Sequence, residues 1–223
     1  MSSRPALLRA TALAAVALST LLALPAQAAV ISDPTGDFLP SFAGTQSPDR
    51  DVVSASASYL GNSFLFGGSF AGGVGSTPGT IYVFGVNRGQ GTARFGAIGT
   101  NVLFDSVVIV TPGVSTVVTD FVTNPAATTV TLAAGATGIT GNGLQVEVPD
   151  ALLPSRGFSF DQYAINLWPR SGLGNNNQIA DFAPDDSNLS VSVPEPASLA
   201  LLGSGLLGVA GLRRRTRNSD TRA

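Results

Sequence analysis

Four short stretches of this 223-residue chain gather side chains able to bind or react: Asp33-Pro34-Thr35-Gly36-Asp37, Pro48-Asp49-Arg50-Asp51, Asn166-Leu167-Trp168-Pro169-Arg170 and Asp181-Phe182-Ala183-Pro184-Asp185-Asp186. Their chemistry is mostly that of carboxylates. The chain has no histidine, no cysteine and no lysine, which excludes a Ser-His-Asp triad, a Cys-His pair, a Ser-Lys dyad and a Schiff-base lysine. The usual zinc ligands and the phosphate-loop lysine are missing with them. One task left to the acids is holding calcium, a hard cation that is satisfied by loop carboxylates and backbone carbonyls. Asp33, Asp37, Asp49 and Asp51 are the first candidate ligands, with Asp185 and Asp186 next. The bland alternative is that Asp beside Pro and Gly simply closes turns by capping its own backbone.

Catalysis by carboxylates alone, as in glycoside hydrolysis, needs two facing acids. Glu147 is the one glutamate between residues 29 and 193, and no spacing pairs any two acids across a cleft. The expectation is therefore no catalytic residue and no enzyme. A carbohydrate site would instead rest on Trp168, with Tyr163 and Arg170 beside it, since an aromatic face stacks on a sugar ring while polar neighbours take its hydroxyls. Alternation through Tyr163, Ile165 and Leu167 puts Trp168 on the opposite face, where packing competes with sugar contact. Arg170 has a plainer use as a partner for an acid such as Asp161.

The elements that must position these groups read as strands. Runs at 52–59, 80–86, 102–110, 114–122, 128–133 and 144–148 are β-branched, aromatic or alternating, and Leu189, Val191 and Val193 alternate with Ser190 and Ser192. Turn clusters separate them, among them Gly72-Gly73, Pro78-Gly79, Pro112-Gly113 and Gly141-Asn142-Gly143. No stretch carries a helical stripe. The expected fold is all-β: an antiparallel β-sandwich of jelly-roll type, spanning residues 29–193 as one domain. Without cysteine, its stability must come from burial or bound ions. This segment holds twelve acids against five arginines, seven net negative, so nucleic acid is a poor partner.

Both ends read as membrane-directed. Arg4 and Arg9 precede the apolar run 10–24, followed by Pro25 and Ala26-Gln27-Ala28, the charged-apolar-small order of a signal peptide. Residues 1–28 are its expected extent, with Ala26 and Ala28 as the cleavage-site residues, and signal peptidase and the general secretion machinery as partners. At the other end, residues 197–212 carry no charge and are followed by Arg213, Arg214, Arg215 and Arg217. As a helix this segment would be roughly 24 Å long at about 1.5 Å per residue. That is slightly less than a hydrocarbon core, so it spans as a transmembrane helix with some thinning. The arginines keep the C-terminus cytoplasmic. Two prolines around Glu195 hold the peptide before this segment extended.

Pro194-Glu195-Pro196, a short hydrophobic segment and an arginine cluster, in that order, resemble the PEP-CTERM sorting tail of exported bacterial proteins. The resemblance covers residues 194–223 and implies that the protein is a substrate of an exosortase. Pro194, Glu195 and Pro196 would then be the recognition element, residues 197–212 the membrane segment and Arg213, Arg214 and Arg215 the stop signal. It also implies an inner-membrane anchored precursor that goes on to the cell surface or is secreted. The order of acidic turns and strands in the middle is similar, more diffusely, to carbohydrate-binding modules of family nine and their DOMON-like relatives. That likeness implies a sandwich able to hold calcium and to contact extracellular polysaccharide. The combined expectation is an exported noncatalytic surface or matrix protein that binds carbohydrate. A purely structural matrix protein is the first alternative, and a carboxylate-based glycoside hydrolase the second.

Overall fold

The computed structural model describes residues 28–122 and 128–193. The expected signal segment with Ala26, the whole tail from Pro194 and the expected membrane helix lie outside the described residues. Thirteen strands follow one another: β1 (Ala29–Ser32), β2 (Val52–Tyr59), β3 (Ser63–Phe70), β4 (Ile81–Asn87), β5 (Thr92–Ala93), β6 (Leu103–Phe104), β7 (Ser106–Thr111), β8 (Ser115–Asp120), β9 (Thr128–Thr131), β10 (Thr137–Thr140), β11 (Gly143–Pro149), β12 (Ala164–Arg170) and β13 (Leu189–Ser190). Helix among the described residues is confined to 3₁₀ turns of three residues. None is long and apolar enough to cross a membrane.

Two antiparallel sheets form the sandwich, one ordered β1-β2-β3-β11-β10 and the other β13-β12-β4-β7-β8-β9. Alternation decides which side chains fill the space between them. Ala55, Ala57, Phe64, Phe66, Leu144, Val146 and Val148 point inward from the first sheet, and Tyr82, Phe84, Val86, Val108, Ile165 and Leu167 from the second. Burying each large apolar side chain is worth about 1.5–3 kcal/mol. The intervening residues of the first sheet face out as Ser54, Ser56, Gly67 and Ser69, with a hydrogen bond of 2.6 Å between the Ser54 and Ser69 hydroxyls.

The second sheet is covered on its outer face as well. Val83, Val107 and Trp168 project there beneath Phe95, Val102, Phe104, Ile179 and Phe182, making a second apolar layer. Gly85 on β4 makes room for it: a Cβ there would meet the Trp168 ring at 2.4 Å. The expected single strand at 102–110 is broken at Asp105, which separates β6 from β7. Asp105 is buried there and pairs with Arg88 at 2.6 Å.

Candidate functional site

The first acidic cluster forms at one end of the sandwich, where both sheets contribute. Asp33 directly follows β1, and its N–H bonds the Val53 carbonyl of β2 at 2.8 Å. Asp51 directly precedes β2. The loop between them bends at Gly36, whose φ of +82° is a left-handed conformation that glycine tolerates. This bend aims the Gly36 N–H at both oxygens of Asp51, at 3.0 and 2.9 Å. Asp181 and Asp185 arrive from the other sheet, on a segment fastened to β12 by paired Leu167 and Ala183 bonds of 2.9 and 2.8 Å. Asp181 accepts the Val52 N–H at 2.8 Å and the Phe182 N–H at 2.8 Å.

Carboxylate oxygens of Asp33, Asp37 and Asp185 lie within 4.8 Å of one another, and so do those of Asp37, Asp51 and Asp181. Asp37 belongs to both groups. Burial, followed by the charges of Asp37, Asp185 and Asp51, pushes the Asp33 carboxyl up to about 7. Burial also pushes Asp181 up to about 8, with Asp33 and Asp37 adding to it against the opposing Val52 N–H. One oxygen of Asp33 and one of Asp37 are buried and accept no hydrogen bond. Among the described residues, the salt bridges run from Arg88 and Arg156 to Asp105 and Asp120, and none reaches this cluster.

Of the six sequence candidates for metal binding, Asp33, Asp37, Asp51 and Asp185 come together, while Asp49 and Asp186 do not. Asp49 sits in the 3₁₀ turn Pro48–Arg50, which rotates its side chain away from Asp51. It takes the Ser47 hydroxyl at 2.6 Å and the Thr77 N–H and hydroxyl at 2.9 and 2.7 Å. Asp186 turns outward and caps the Thr100-Asn101 corner. Asp181 takes the place that sequence reasoning gave them. Its signal was a lone acid inside an apolar stretch, Ile179 to Ala183, which makes its burial foreseeable.

The carbohydrate candidates are buried. Trp168 is 1% exposed and Tyr163 is 0% exposed, so neither ring offers a face to a sugar. Tyr163 stacks on Phe64 within the inner core, and Trp168 packs edge-on against Phe95. Arg170 is buried too, and it bonds the Gly172 and Asn175 carbonyls rather than an acid. Asp161 instead accepts the Ser159 hydroxyl. Glu147 on β11 accepts the Ser63 hydroxyl at 2.8 Å. The surface grooves flanking β7–β9 and crossing β2, β3 and β11 are lined by Ser, Thr, Gly, Gln and apolar residues, without an acid or a base.

A second charged group was not legible in the sequence. Arg88 is fully buried and bonds Asp105 at 2.6 Å and Asp120 at 2.8 Å; Arg156 reaches Asp120 at 2.8 Å. The Pro154 carbonyl accepts from the Arg88 guanidinium at 3.2 Å. Burial alone would raise Asp120, but the Arg88, Arg156 and Val122 donors outweigh it and hold the carboxyl well below the usual carboxylate range.

The end of the domain is fastened just before the sorting residues. Ser192 bridges to Ser58 on β2, its carbonyl accepts the Tyr59 N–H at 2.8 Å, and its hydroxyl accepts the Ala29 N–H at 2.9 Å. Ala29 at the start of β1 and Ser192 near the end of the described domain thus lie beside one another. Residues 192–215 match the PEP-CTERM protein-sorting motif. The motif marks the chain as an exported, membrane-anchored precursor with an exosortase as its processing partner. No curated protein and no solved structure matches the chain.

Proposed function

We propose that this is a noncatalytic structural protein of the cell surface or extracellular matrix. Its sandwich is carried across the inner membrane, held there by the tail, and freed or re-anchored when an exosortase cuts near Pro194-Glu195-Pro196. The observation that carries the reading is the sorting motif, which begins at Ser192, where the fold is pinned. The noncatalytic part of the reading is supported by the grooves lined with uncharged side chains and by the Ser54, Ser56, Gly67 and Ser69 face of the first sheet. Such a small, hydroxylated surface suits packing in a hydrated polymer layer better than gripping one ligand.

The test is the mature C-terminus, read by mass spectrometry of protein recovered from native cells and from cells lacking the exosortase. A C-terminus close to Val193 in the first and an intact tail in the second is the expected result. A surface or secreted form that retains residues 197–212 in native cells would overturn the sorting reading.

A further inference from the structure

We propose that Asp33, Asp37, Asp51, Asp181 and Asp185 form a calcium site that clamps the two sheets together at one end of the sandwich. Two observations carry this independently of each other. The first is placement: three carboxylates from the connection between β1 and β2 and two from the segment on β12 converge, with ligand-capable oxygens within 4.8 Å in two groups that share Asp37. The second is an unmet need within that convergence. Asp33 is only 9% exposed, yet one of its oxygens is buried without a hydrogen-bond donor, as is one of Asp37. A buried carboxylate oxygen without a donor is costly, and native interiors pair such groups or give them to a metal.

The fold treats its other buried acids differently. Asp49, Asp105 and Asp120 each have hydroxyl, amide or guanidinium donors. At the five-acid cluster the backbone N–H groups of Gly36, Val52 and Phe182 occupy parts of Asp51 and Asp181, orienting them. The orphaned oxygens of Asp33 and Asp37 are left for a cation. Burial first, and the neighbouring carboxylates after it, raise the Asp33 and Asp181 carboxyls.

Donor chemistry selects the ion. Every available ligand is oxygen, which favours hard cations over zinc or copper. Calcium accepts an irregular shell of carboxylates and carbonyls, whereas magnesium demands near-octahedral geometry and keeps most of its water. With ligands from both sheets, the bound ion would convert mutual repulsion into a cross-sheet tie. Export would then place the domain where calcium is plentiful, although the site's chemistry stands whether or not the tail is cut.

The experiment uses the whole chain, purified in mild detergent and stripped with EGTA, then titrated with calcium by calorimetry and followed by thermal unfolding. The expected result is saturable binding and a rise in melting temperature of about 5–10 °C at saturating calcium. Asp37→Asn is expected to lose the calcium-dependent rise while melting no lower than the parent in EGTA, since it removes one charge from a repelling group. Asp185→Asn, at the exposed rim, should bind calcium at least about tenfold more weakly, and Asp161→Asn, outside the cluster, should keep the full response. Absence of binding heat together with identical melting in calcium and EGTA would overturn the site. So would an equal rise with magnesium or matched monovalent salt, or an undiminished response in Asp37→Asn.

Discussion

The Arg88 network is a buried gathering of carboxylates and the Asp37 cluster a partly buried one, and they differ in where their counter-charge comes from. Arg88 brings its own cation between Asp105 and Asp120, with Arg156 reaching Asp120 from the other side. The charge is balanced within the chain, and the Asp120 carboxyl is held well below its ordinary range. Around Asp37 five acids meet with no described arginine among them, and burial, joined by the neighbouring carboxylates, pushes Asp33 and Asp181 up. The lesson is that burial of acids alone does not define a site. What distinguishes a binding cluster from a structural one is whether the fold has already supplied the partner.

The largest loss is expected at Arg88. Arg88→Met leaves Asp105 and Asp120 buried without their main donor, and a loss of about 3–5 kcal/mol of stability is expected in urea unfolding. Next in size is the pair of opposite signs at Asp37. In saturating calcium, Asp37→Asn should lose about 2–3 kcal/mol relative to the parent, the linkage contribution of the ion. In EGTA the same change should cost nothing or stabilise.

Acid unfolding sharpens the contrast further. The folded-state proton affinity of Asp120 is lower than in the unfolded chain, so its contribution is fully present above the ordinary carboxylate range. Below about pH 4 the unfolded chain takes up the proton first, and stability falls as pH drops towards the folded value. The calcium-free protein should therefore lose its Arg88 network on acidification, as seen by the circular-dichroism midpoint in urea at successive pH values. Arg156→Gln should have the smallest effect, about 0.5–1 kcal/mol, because its side chain is partly exposed and screened by water.

Several elements were legible from residue order alone. The run at 52–59 is β2 residue for residue, and the runs at 80–86, 114–122, 128–133 and 144–148 become β4, β8, β9 and β11 with shifted ends. β3 was not among the expected runs, and Gly67-Gly68 interrupts its pattern. In the structure Gly67 keeps clear of Ser56 on the outside, and Gly68 admits Leu167 on the inside. The strand survives because sheet packing needs the space that the two glycines leave. Strand parity was more dependable: it put Trp168 opposite Tyr163, Ile165 and Leu167, and those residues occupy the outer and inner apolar layers respectively. Parity could not say that residues 95–104 and 179–182 would cover Trp168 and close it to sugar.

At the acidic cluster, the sequence supplied the residue types and four of the five positions. Local geometry removed Asp49, since a 3₁₀ turn rotates neighbouring carboxylates apart, and brought in Asp181 across 130 residues from Asp51. The Arg88 network lay wholly beyond sequence reasoning, because its four charged residues are spread from 88 to 156 with no local pattern.

By itself, then, the sequence determined the sorting tail, the all-β class and the restriction of chemistry to carboxylates, because each depends on composition or on the order of adjacent residues. Only the tertiary structure decided which carboxylates meet an arginine and which meet one another. Charge balance in a folded interior is set by contacts between strands far apart in the chain, and that distance leaves no trace in residue order.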